Sequence, residues 1–345
     1  MSAAAAYDVA RVYRNAVVID GSVDPTIDDA YLARLRASGV TALNLTVPHV
    51  HADLTRCLRE LATTLDLIAA HQDVLTLIRS TADIAAAKRD GKVGIIIGPQ
   101  NALPCAEGLH LFRVLRELGV MIMQLTYNER NVFGDGIAVP DAGGLTPLGR
   151  EAIAEMGRVG MVVDLSHCSD RTTNEAIEAS TVPVLITHAN ARALHPSPRN
   201  KTDDTLRLLA SRGGVVGVTL WSPMLRYDRQ PDLDDFVRNL DHIANLIGID
   251  HLSIGTDQSE GTARDQWELD FGPNGRYPNV TRQMGPWYAY DTRFAANGFS
   301  VSDFPGIVRA IASLGLSEPE LTGVLGGNLL RVFDAVWGGR APSVA

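Results

Sequence analysis

Two histidines that each follow a short apolar run are the residues of this chain best placed to do chemistry. His167 follows Val162-Val163-Asp164-Leu165-Ser166, and His188 follows Val182-Pro183-Val184-Leu185-Ile186-Thr187. Neighbouring strands lie about 4.8 Å apart, so two imidazoles at consecutive strand ends can share one metal ion. A hydrogen bond to a backbone carbonyl is the alternative role for each ring. The pairing favours a metal site at His167 and His188.

Other polar residues also follow apolar runs. Asp257 ends Ile254-Gly255-Thr256-Asp257, where a carboxylate can bind metal or accept a proton from water; capping a helix or forming a salt bridge are the alternatives. Arg199 lies in a loop and can bind a substrate carboxylate through two hydrogen bonds, although a surface ion pair is the commoner role. The remaining strand-end candidates are Ser22, Asp24, Gln100, Asn101, Tyr127 and Asn128.

A second histidine pair, His49-Val50-His51, has the spacing of an HxH metal motif, but Pro48 and an exposed-looking loop make it the weaker candidate. The other histidines are interpreted as structural: His71, His110, His195, His242 and His251. The chain contains no GxSxG elbow and no glycine-rich phosphate loop. Cys168 directly follows His167, so the two side chains are expected to point to different sides, and no thiol nucleophile is predicted.

The elements that must position these residues are short, β-branched apolar runs separated by helical stretches. We predict strands at Ala16–Gly21, Val40–Val47, Val93–Gln100, Met121–Asn128, Met161–His167, Val182–His188, Gly214–Leu220 and His251–Asp257. Runs that are apolar on both faces are typical of parallel strands covered by helices. Eight such units predict a single α/β domain over residues 1–345, a (β/α)8 TIM barrel; an open doubly wound sheet is the alternative.

Two helices and one insertion stand out between the strands. Asp232–Gly248 carries an apolar stripe at helical spacing, and a Ser317–Glu320 capping box opens a last helix that is predicted to run through Trp337. Residues 258–302 form a long segment rich in Gly, Pro, Trp and Tyr. A segment this long and aromatic is predicted to be a lid over the site or a subunit contact, which would make a homodimer.

The composition narrows the possible partners. A net charge of −9 without any Lys/Arg run argues against nucleic acid or an anionic membrane as a partner. We expect no signal peptide and no membrane span. Three cysteines that form no CxxC motif, Cys57, Cys105 and Cys168, favour a reducing cytoplasm.

Several ordered motifs resemble the membrane (renal) dipeptidase family, peptidase family M19, of the amidohydrolase superfamily. The similarity runs from about Val17 to Trp337. The motifs that carry it are Val18-Ile19-Asp20-Gly21, Gly144-Leu145-Thr146-Pro147-Leu148-Gly149, Asp164-Leu165-Ser166-His167, Thr187-His188, Pro198-Arg199-Asn200, Ile254-Gly255-Thr256-Asp257 and Asn328-Leu329-Leu330-Arg331-Val332-Phe333.

The resemblance implies a two-zinc site whose second metal is held by His167 and His188. It further implies a strand-end carboxylate at Asp257, a substrate-carboxylate arginine at Arg199, and the aspartate of an HxD motif at Asp24. Three family residues are replaced here: the HxD histidine by Ser22, the bridging glutamate by Gln100, and a substrate-binding histidine by Tyr127. A neutral amide cannot bridge two dications as a carboxylate does.

We therefore predict a divergent hydrolase that cleaves an amide or peptide bond of a small, carboxylate-bearing, dipeptide-like substrate. One zinc ion would be held by His167 and His188, with Asp257 or the Gln100 oxygen; two ions and no metal are the alternatives. Asp257 or Asp24 would accept a proton, Tyr127 would stabilise the oxyanion, and the substrate would contact Arg199, Tyr127 and Asn128. The other functions considered are a metal-free acid–base enzyme (isomerase or lyase) and a non-catalytic ligand-binding protein.

Overall fold

The fold was analysed in a computed structural model that describes residues 7–338. Within these residues one sheet contains nine strands. They are β1 (Ile19–Val23), β2 (Ala42–Leu45), β3 (Leu75–Leu77), β4 (Val93–Ile97), β5 (Ile122–Gln124), β6 (Val162–Asp164), β7 (Leu185–Ile186), β8 (Val215–Val218) and β9 (Leu252–Ile254).

The α-helices alternate with these strands and surround them. They are α1 (Val9–Asn15), α2 (Asp29–Ser38), α3 (Leu54–Ala70), α4 (Thr81–Asp90), α5 (His110–Leu118), α6 (Pro147–Val159), α7 (Asp170–Ala179), α8 (Asp203–Ser211), α9 (Leu233–Ile247), α10 (Arg264–Phe271), α11 (Pro278–Thr281), α12 (Phe304–Ala312), α13 (Glu318–Thr322) and α14 (Asn328–Trp337).

The sheet is parallel and closes into a barrel. Its strand order is β3-β4-β2-β1-β9-β8-β7-β6-β5. The ring closes between β4 and β5, where Ile97 bridges Val120 and the Met121 amide donates to the Ile97 carbonyl at 3.0 Å. The fold is the predicted (β/α)8 barrel, with β3 as an additional short strand beside the first half of β4. Our prediction of eight strands missed β3 because three residues of sequence, Leu-Thr-Leu, give too short a pattern to recognise.

The strands are shorter than predicted, and β1 begins later. For example, β5 ends at Gln124 and β6 ends at Asp164, each three residues before its functional side chain, Tyr127 or His167. Apolar character continues beyond the last ladder hydrogen bond because the loop residues are also buried, so composition overestimates strand length. The candidate residues thus lie on the loops that directly follow the strands.

Alternate residues of the strands face two apolar clusters. Leu43 and Ile95 belong to a large cluster that packs the strands against the surrounding helices, whereas Ala42 and Ile96 belong to a smaller one that includes Val332 and other residues of α14. This smaller cluster fills the amino-terminal end of the barrel. Because α14 covers that end, the carboxyl ends of the strands form the open face.

The helix predictions are confirmed in part. The Asp232–Gly248 stripe is α9, which Asp232 caps with a capping box. The Ser317–Glu320 capping box is also present, but the predicted last helix is wrong: α13 ends at Thr322, and a π-type turn over Gly323–Gly327 separates it from α14. The interruption brings Gly326 against the start of β1. A Cβ atom at Gly326 would lie 2.5 Å from the Val17 carbonyl oxygen.

We expect Gly326→Ala to destabilise the protein by about 1–3 kcal/mol, because the added methyl group would clash with backbone atoms, which cannot change rotamer to relieve the contact. Chemical denaturation measures this change. Gly157→Ala is the matched control: its Cβ would meet only Val182 Cγ2, at 3.6 Å, within helix α6. The control should be neutral or stabilising by up to about 1 kcal/mol. Equal stabilities of the two variants would contradict the close approach.

Candidate active site

The predicted functional residues meet in one cavity at the open face of the barrel. We call its deep part the inner chamber. Its volume is about 80 Å³, and its walls include Asp24, Gln100, Tyr127, Asn128, His167, Arg199 and Asp257. His188 contacts His167 directly beneath this wall. The structure thus brings together every residue predicted for catalysis, substrate binding or metal binding.

The imidazole rings of His167 and His188 face each other. Their Nε2 atoms are 2.9 Å apart, and both rings are buried. Burial, followed by the charge of Arg199, holds the pKa of each ring well below its usual range. Both rings are therefore neutral at pH 7, as metal-ligating histidines must be.

A buried carboxylate fixes the tautomer of His188. Asp164 accepts the hydroxyl protons of Ser166 (2.6 Å) and Thr187 (2.8 Å). Thr187 Oγ1 has then donated its only proton and must accept one from His188 Nδ1, at 2.8 Å. His188 therefore carries its proton on Nδ1 and presents a free lone pair at Nε2.

His167 has the same tautomer. Its Nδ1 lies 2.7 Å from Asn128 Oδ1, which can only accept a hydrogen bond. The two Nε2 lone pairs consequently point at each other, an arrangement that a shared cation would stabilise. Asn128, which we predicted to bind substrate, is placed so that it orients His167.

Tyr127 covers the histidine pair from the cavity side. Its ring stacks on His167 with centroids 4.2 Å apart and an interplanar angle of 23°. Burial raises the pKa of Tyr127 well above its usual value, so the hydroxyl stays protonated and can donate its proton to an acceptor in the cavity. This side chain can provide a hydrogen bond to an oxyanion.

Two carboxylates with raised pKa values border the inner chamber. The Asp24 side chain is open to the cavity yet surrounded by protein, and this burial, together with Glu60, raises its pKa to about 6. Burial raises the pKa of Asp257 to about 7, against the opposing effect of Arg199. Asp257 has φ 60°, a conformation uncommon for a residue other than glycine. Its amide donates to the Ser22 carbonyl at 2.9 Å, which fixes this turn.

Arg199 reaches the cavity from the loop before α8. Its guanidinium is only 1% exposed, and Nη1 donates to the Ser166 carbonyl. Nη2 has no hydrogen-bond partner among residues 7–338, and no carboxylate of that range lies within 4.0 Å of the guanidinium. A buried donor left without a partner is costly, so this group is suited to an anionic ligand.

Gln100 and Ser22, the residues that replace family metal ligands, hydrogen-bond each other. The Gln100 amide nitrogen donates to Thr46 Oγ1 at 2.7 Å and to Ser22 Oγ at 3.3 Å. An amide whose nitrogen faces hydroxyl groups forms a neutral network. The Gln100 and Ser22 positions therefore supply neither a carboxylate nor an imidazole.

The 258–302 segment lies over the cavity. It is not a continuous loop, because it contains α10 and α11. Trp267, Phe271 and Phe294 from this segment line the inner chamber. Tyr277 attaches it to the barrel by donating to Glu129 Oε1 at 2.7 Å. These aromatic residues thus pack within the chain and line the cavity.

Sequence reasoning missed Arg293, which also lines the inner chamber. Its guanidinium donates to the carbonyls of Tyr290 and Ser259 and lies 3.8 Å from the Tyr290 ring centroid and 4.5 Å from that of Phe299. These contacts indicate that Arg293 holds the 258–302 segment together. No spacing in the sequence distinguishes it from a surface arginine.

Fold and cavity together define an α/β barrel of the amidohydrolase type, with its site at the carboxyl ends of the strands. The family profile described as membrane dipeptidase (peptidase family M19) matches residues 8–285. The chain belongs to this family. A crystal structure of an amidohydrolase from Pseudomonas aeruginosa is 32% identical, with a TM-score of 0.88, and the match covers 96% of this chain and all of that one.

Two curated relatives are named dipeptidases. Dipeptidase verJ from Clonostachys rogersoniana is 28% identical over 272 residues, which are 78% of this chain and 62% of that protein. Dipeptidase 3 from Rattus norvegicus is 30% identical over 251 residues, 71% of this chain and 45% of that protein. The match thus spans about half the length of these relatives. Between residues 7 and 338, no helix has the length and apolarity needed to cross a membrane.

We expect Asp257→Asn to raise the melting temperature of chelator-treated protein at pH 8 but not at pH 4. Because the folded protein raises the pKa of this carboxyl from 3.8 to about 7, it binds the proton more tightly than the unfolded chain does. The resulting stabilisation is complete below about pH 4 and is lost as the pH rises through 7. Asparagine removes the buried charge, and scanning calorimetry across this range measures the difference.

The control is Asp73→Asn, an exposed carboxylate whose side chain is 71% accessible. The melting temperature of this variant, relative to the wild type, should not change between pH 4 and pH 8. An Asp257→Asn effect of equal size at pH 4 and pH 8 would mean that this carboxyl does not titrate as described.

Proposed function

We propose that this protein is a hydrolase that cleaves the amide bond of a small dipeptide-like substrate with a free carboxylate, with one divalent metal ion at the histidine pair. The observation that carries the proposal is Arg199: a buried guanidinium in the cavity wall, without a carboxylate partner, beside His167 and Asp257. Membership of a family with relatives named dipeptidases supports the same reaction. The anchored carboxylate would place the scissile bond beneath Tyr127.

The donor set of the site fits one metal ion better than two. The two histidines offer converging Nε2 lone pairs with both Nδ1 protons already bound, the arrangement typical of metal-ligating histidines. Between residues 7 and 338, no group of three or more His, Cys, Asp and Glu side chains is arranged to hold an ion. His167 and His188 would therefore hold the ion, with water or substrate completing its coordination. When bound, the ion supplies Lewis acidity toward the amide carbonyl and toward water.

The other residues have roles that follow from their positions. Arg199 binds the substrate carboxylate and fixes the register of the substrate. Tyr127, which remains protonated, donates a hydrogen bond to the oxygen of the scissile carbonyl as charge develops there. Asp257, with a pKa of about 7, is suited to accept a proton from water and return it to the leaving amine. The lid residues Trp267 and Phe271 exclude bulk water.

We expect Arg199→Lys to lower kcat/KM for dipeptides about 10- to 100-fold, because one amine cannot reproduce the hydrogen bonds of the guanidinium. The same substitution should leave kcat/KM unchanged for dipeptide amides, which lack the carboxylate. Steady-state kinetics on matched pairs of Leu-Ala and Leu-Ala-NH₂ measure the contrast.

Arg207→Lys is the matched control, since Arg207 pairs with Asp204 on helix α8, outside the cavity, and the substitution should leave kcat/KM unchanged for both substrates. If wild-type protein hydrolysed the peptide and its amide equally well, carboxylate recognition by Arg199 would be refuted. If neither were hydrolysed with zinc, manganese or cobalt present, the hydrolase proposal itself would fail.

For metal binding, we expect about one zinc ion per chain by mass spectrometry, lost in His167→Ala. Thr187→Val should weaken zinc binding about 10- to 100-fold, because valine keeps the shape of threonine but leaves His188 Nδ1 without its acceptor. Thr187→Ser restores the hydroxyl and should bind zinc like the wild type. Competitive titration with a chromophoric chelator measures these affinities.

Two zinc ions per chain would show that Ser22 and Gln100 do not block the second position. No binding at all would remove the metal from the proposal. It would favour metal-free acid–base chemistry, for which the adjacent carboxylates Asp24 and Asp257 provide titrating groups.

A further inference from the structure

The inner chamber has two buried guanidinium groups in its wall, those of Arg199 and Arg293. Each side chain is only 1% exposed. Among residues 7–338, no carboxylate oxygen lies within 4.0 Å of either group. The Arg293 Nε atom is buried and has no hydrogen-bond partner in that range. A buried charge without an opposite charge is costly, so two such groups in one wall call for two negative charges in a ligand.

The aromatic rings around Arg293 orient its guanidinium but do not neutralise it. The Cζ atom lies 3.8 Å from the ring centroid of Tyr290 and 4.5 Å from that of Phe299. Such contacts attract a cation without supplying a negative charge. Burial lowers the pKa of Arg293. The nearby Asp291 opposes this effect, but it is 74% exposed and already pairs with Arg264 at 2.8 Å.

The backbone holds Arg293 on a different part of the barrel from Arg199. The Ser222 amide donates to the Arg293 carbonyl at 2.9 Å, and the Ala295 amide donates to the Leu220 carbonyl at 2.9 Å. These bonds attach Arg293 to the loop that follows β8. Arg199 lies on the loop that follows β7, the neighbouring strand. The two guanidinium groups are therefore anchored independently of each other.

A third donor in the chamber wall is also without an acceptor. The Trp267 side chain is 4% exposed, and its Nε1 has no hydrogen-bond partner within the described part of the chain. A single ligand carboxylate at Arg199 would neutralise one guanidinium and leave the other without an opposite charge. The carboxylates of the chamber, Asp24 and Asp257, do not replace a second one, because burial raises their pKa values to about 6 and about 7.

The shape of the cavity indicates which half of the substrate carries the second charge. A larger cavity of about 360 Å³ adjoins the inner chamber of about 80 Å³, and both have Asp24, Thr46 and Tyr127 as walls. With the scissile bond beneath Tyr127, the carboxyl-side residue occupies the inner chamber and the amino-side residue extends into the larger cavity. A second negative charge in the inner chamber thus belongs to the side chain of the carboxyl-side residue.

We infer that the inner chamber selects an acidic carboxyl-terminal residue, aspartate or glutamate. Arg199 binds its α-carboxylate, and Arg293 binds its side-chain carboxylate together with the indole of Trp267. The substrate class is a dipeptide with two carboxylates on one residue, such as Leu-Asp. This inference rests on the proposed function, because Arg199 must hold the α-carboxylate for the side chain to reach Arg293.

The test is calorimetric binding of non-hydrolysable phosphinate analogues of Leu-Asp and Leu-Asn to the zinc-loaded protein, beside kcat/KM for the two parent dipeptides. Aspartate and asparagine have the same shape, so only the side-chain charge differs. We expect the aspartyl analogue to bind about tenfold more tightly than the asparaginyl one. Arg293→Gln should remove this preference and leave the affinity for the asparaginyl analogue unchanged.

Arg264→Gln is the matched control. It makes the same charge change beside the same Tyr290 ring, 4.6 Å from its centroid, but the Arg264 side chain is 53% exposed and does not line the chamber. This variant should bind both analogues like the wild type. If Arg293→Gln weakened both analogues equally, Arg293 would have a structural role only and the inference would be overturned.

The comparison of the two analogues on wild-type protein needs no variant. Equal binding of both would overturn the inference even if Leu-Asp and Leu-Asn were hydrolysed, and the proposed hydrolase would stand. An aspartyl preference without hydrolysis of either dipeptide would uphold the chamber's selectivity and overturn the proposed reaction. No binding of either analogue, with neither dipeptide hydrolysed, would overturn both.

Discussion

Two buried aspartates at the ends of barrel strands determine the geometry on which the site depends. Asp164 accepts hydrogen bonds from the backbone and hydroxyl groups of Ser166 and Thr187, and so joins the end of β6 to the end of β7. Asp20 does the same for β1 and β9 through Ser22 and Thr256. Burial raises the pKa of Asp20 to about 7 and that of Asp164 in the same direction. These polar junctions hold the loops that carry His167, His188 and Asp257.

The position of the site was predictable because a parallel barrel leaves little freedom in where strand ends point. Continuous apolar runs indicated the strands, and the polar residues after them had to meet at one face. The exact strand ends were not predictable, because Leu125 and Leu165, which directly follow β5 and β6, are apolar and buried for reasons of loop packing. The interruption at Gly326 was also invisible, since it depends on an approach to Val17 that is more than three hundred residues distant in sequence.

The roles of individual polar residues were harder to predict than their locations. Asn128 and Tyr127 are adjacent in sequence, yet one orients His167 by a hydrogen bond and the other stacks on the same ring. Only the direction of each side chain separates these roles. Similarly, Gln100 stands at a metal-ligand position of the family, but its amide nitrogen faces two hydroxyl groups. Hydrogen-bond partners, rather than residue types, therefore indicate whether a side chain in the cavity is free to bind a metal ion.

The isolated charge of Arg199 has a consequence for the evolution of this chain. A buried guanidinium that contacts only a carbonyl lowers the stability of the ligand-free protein, and the raised pKa of Asp257 reflects a similar cost. Substitutions that neutralise either group would therefore make a more stable protein with a poorer site. Selection for stability alone would favour the loss of both charges, so their presence together in one cavity is what a binding site requires and a stable core does not.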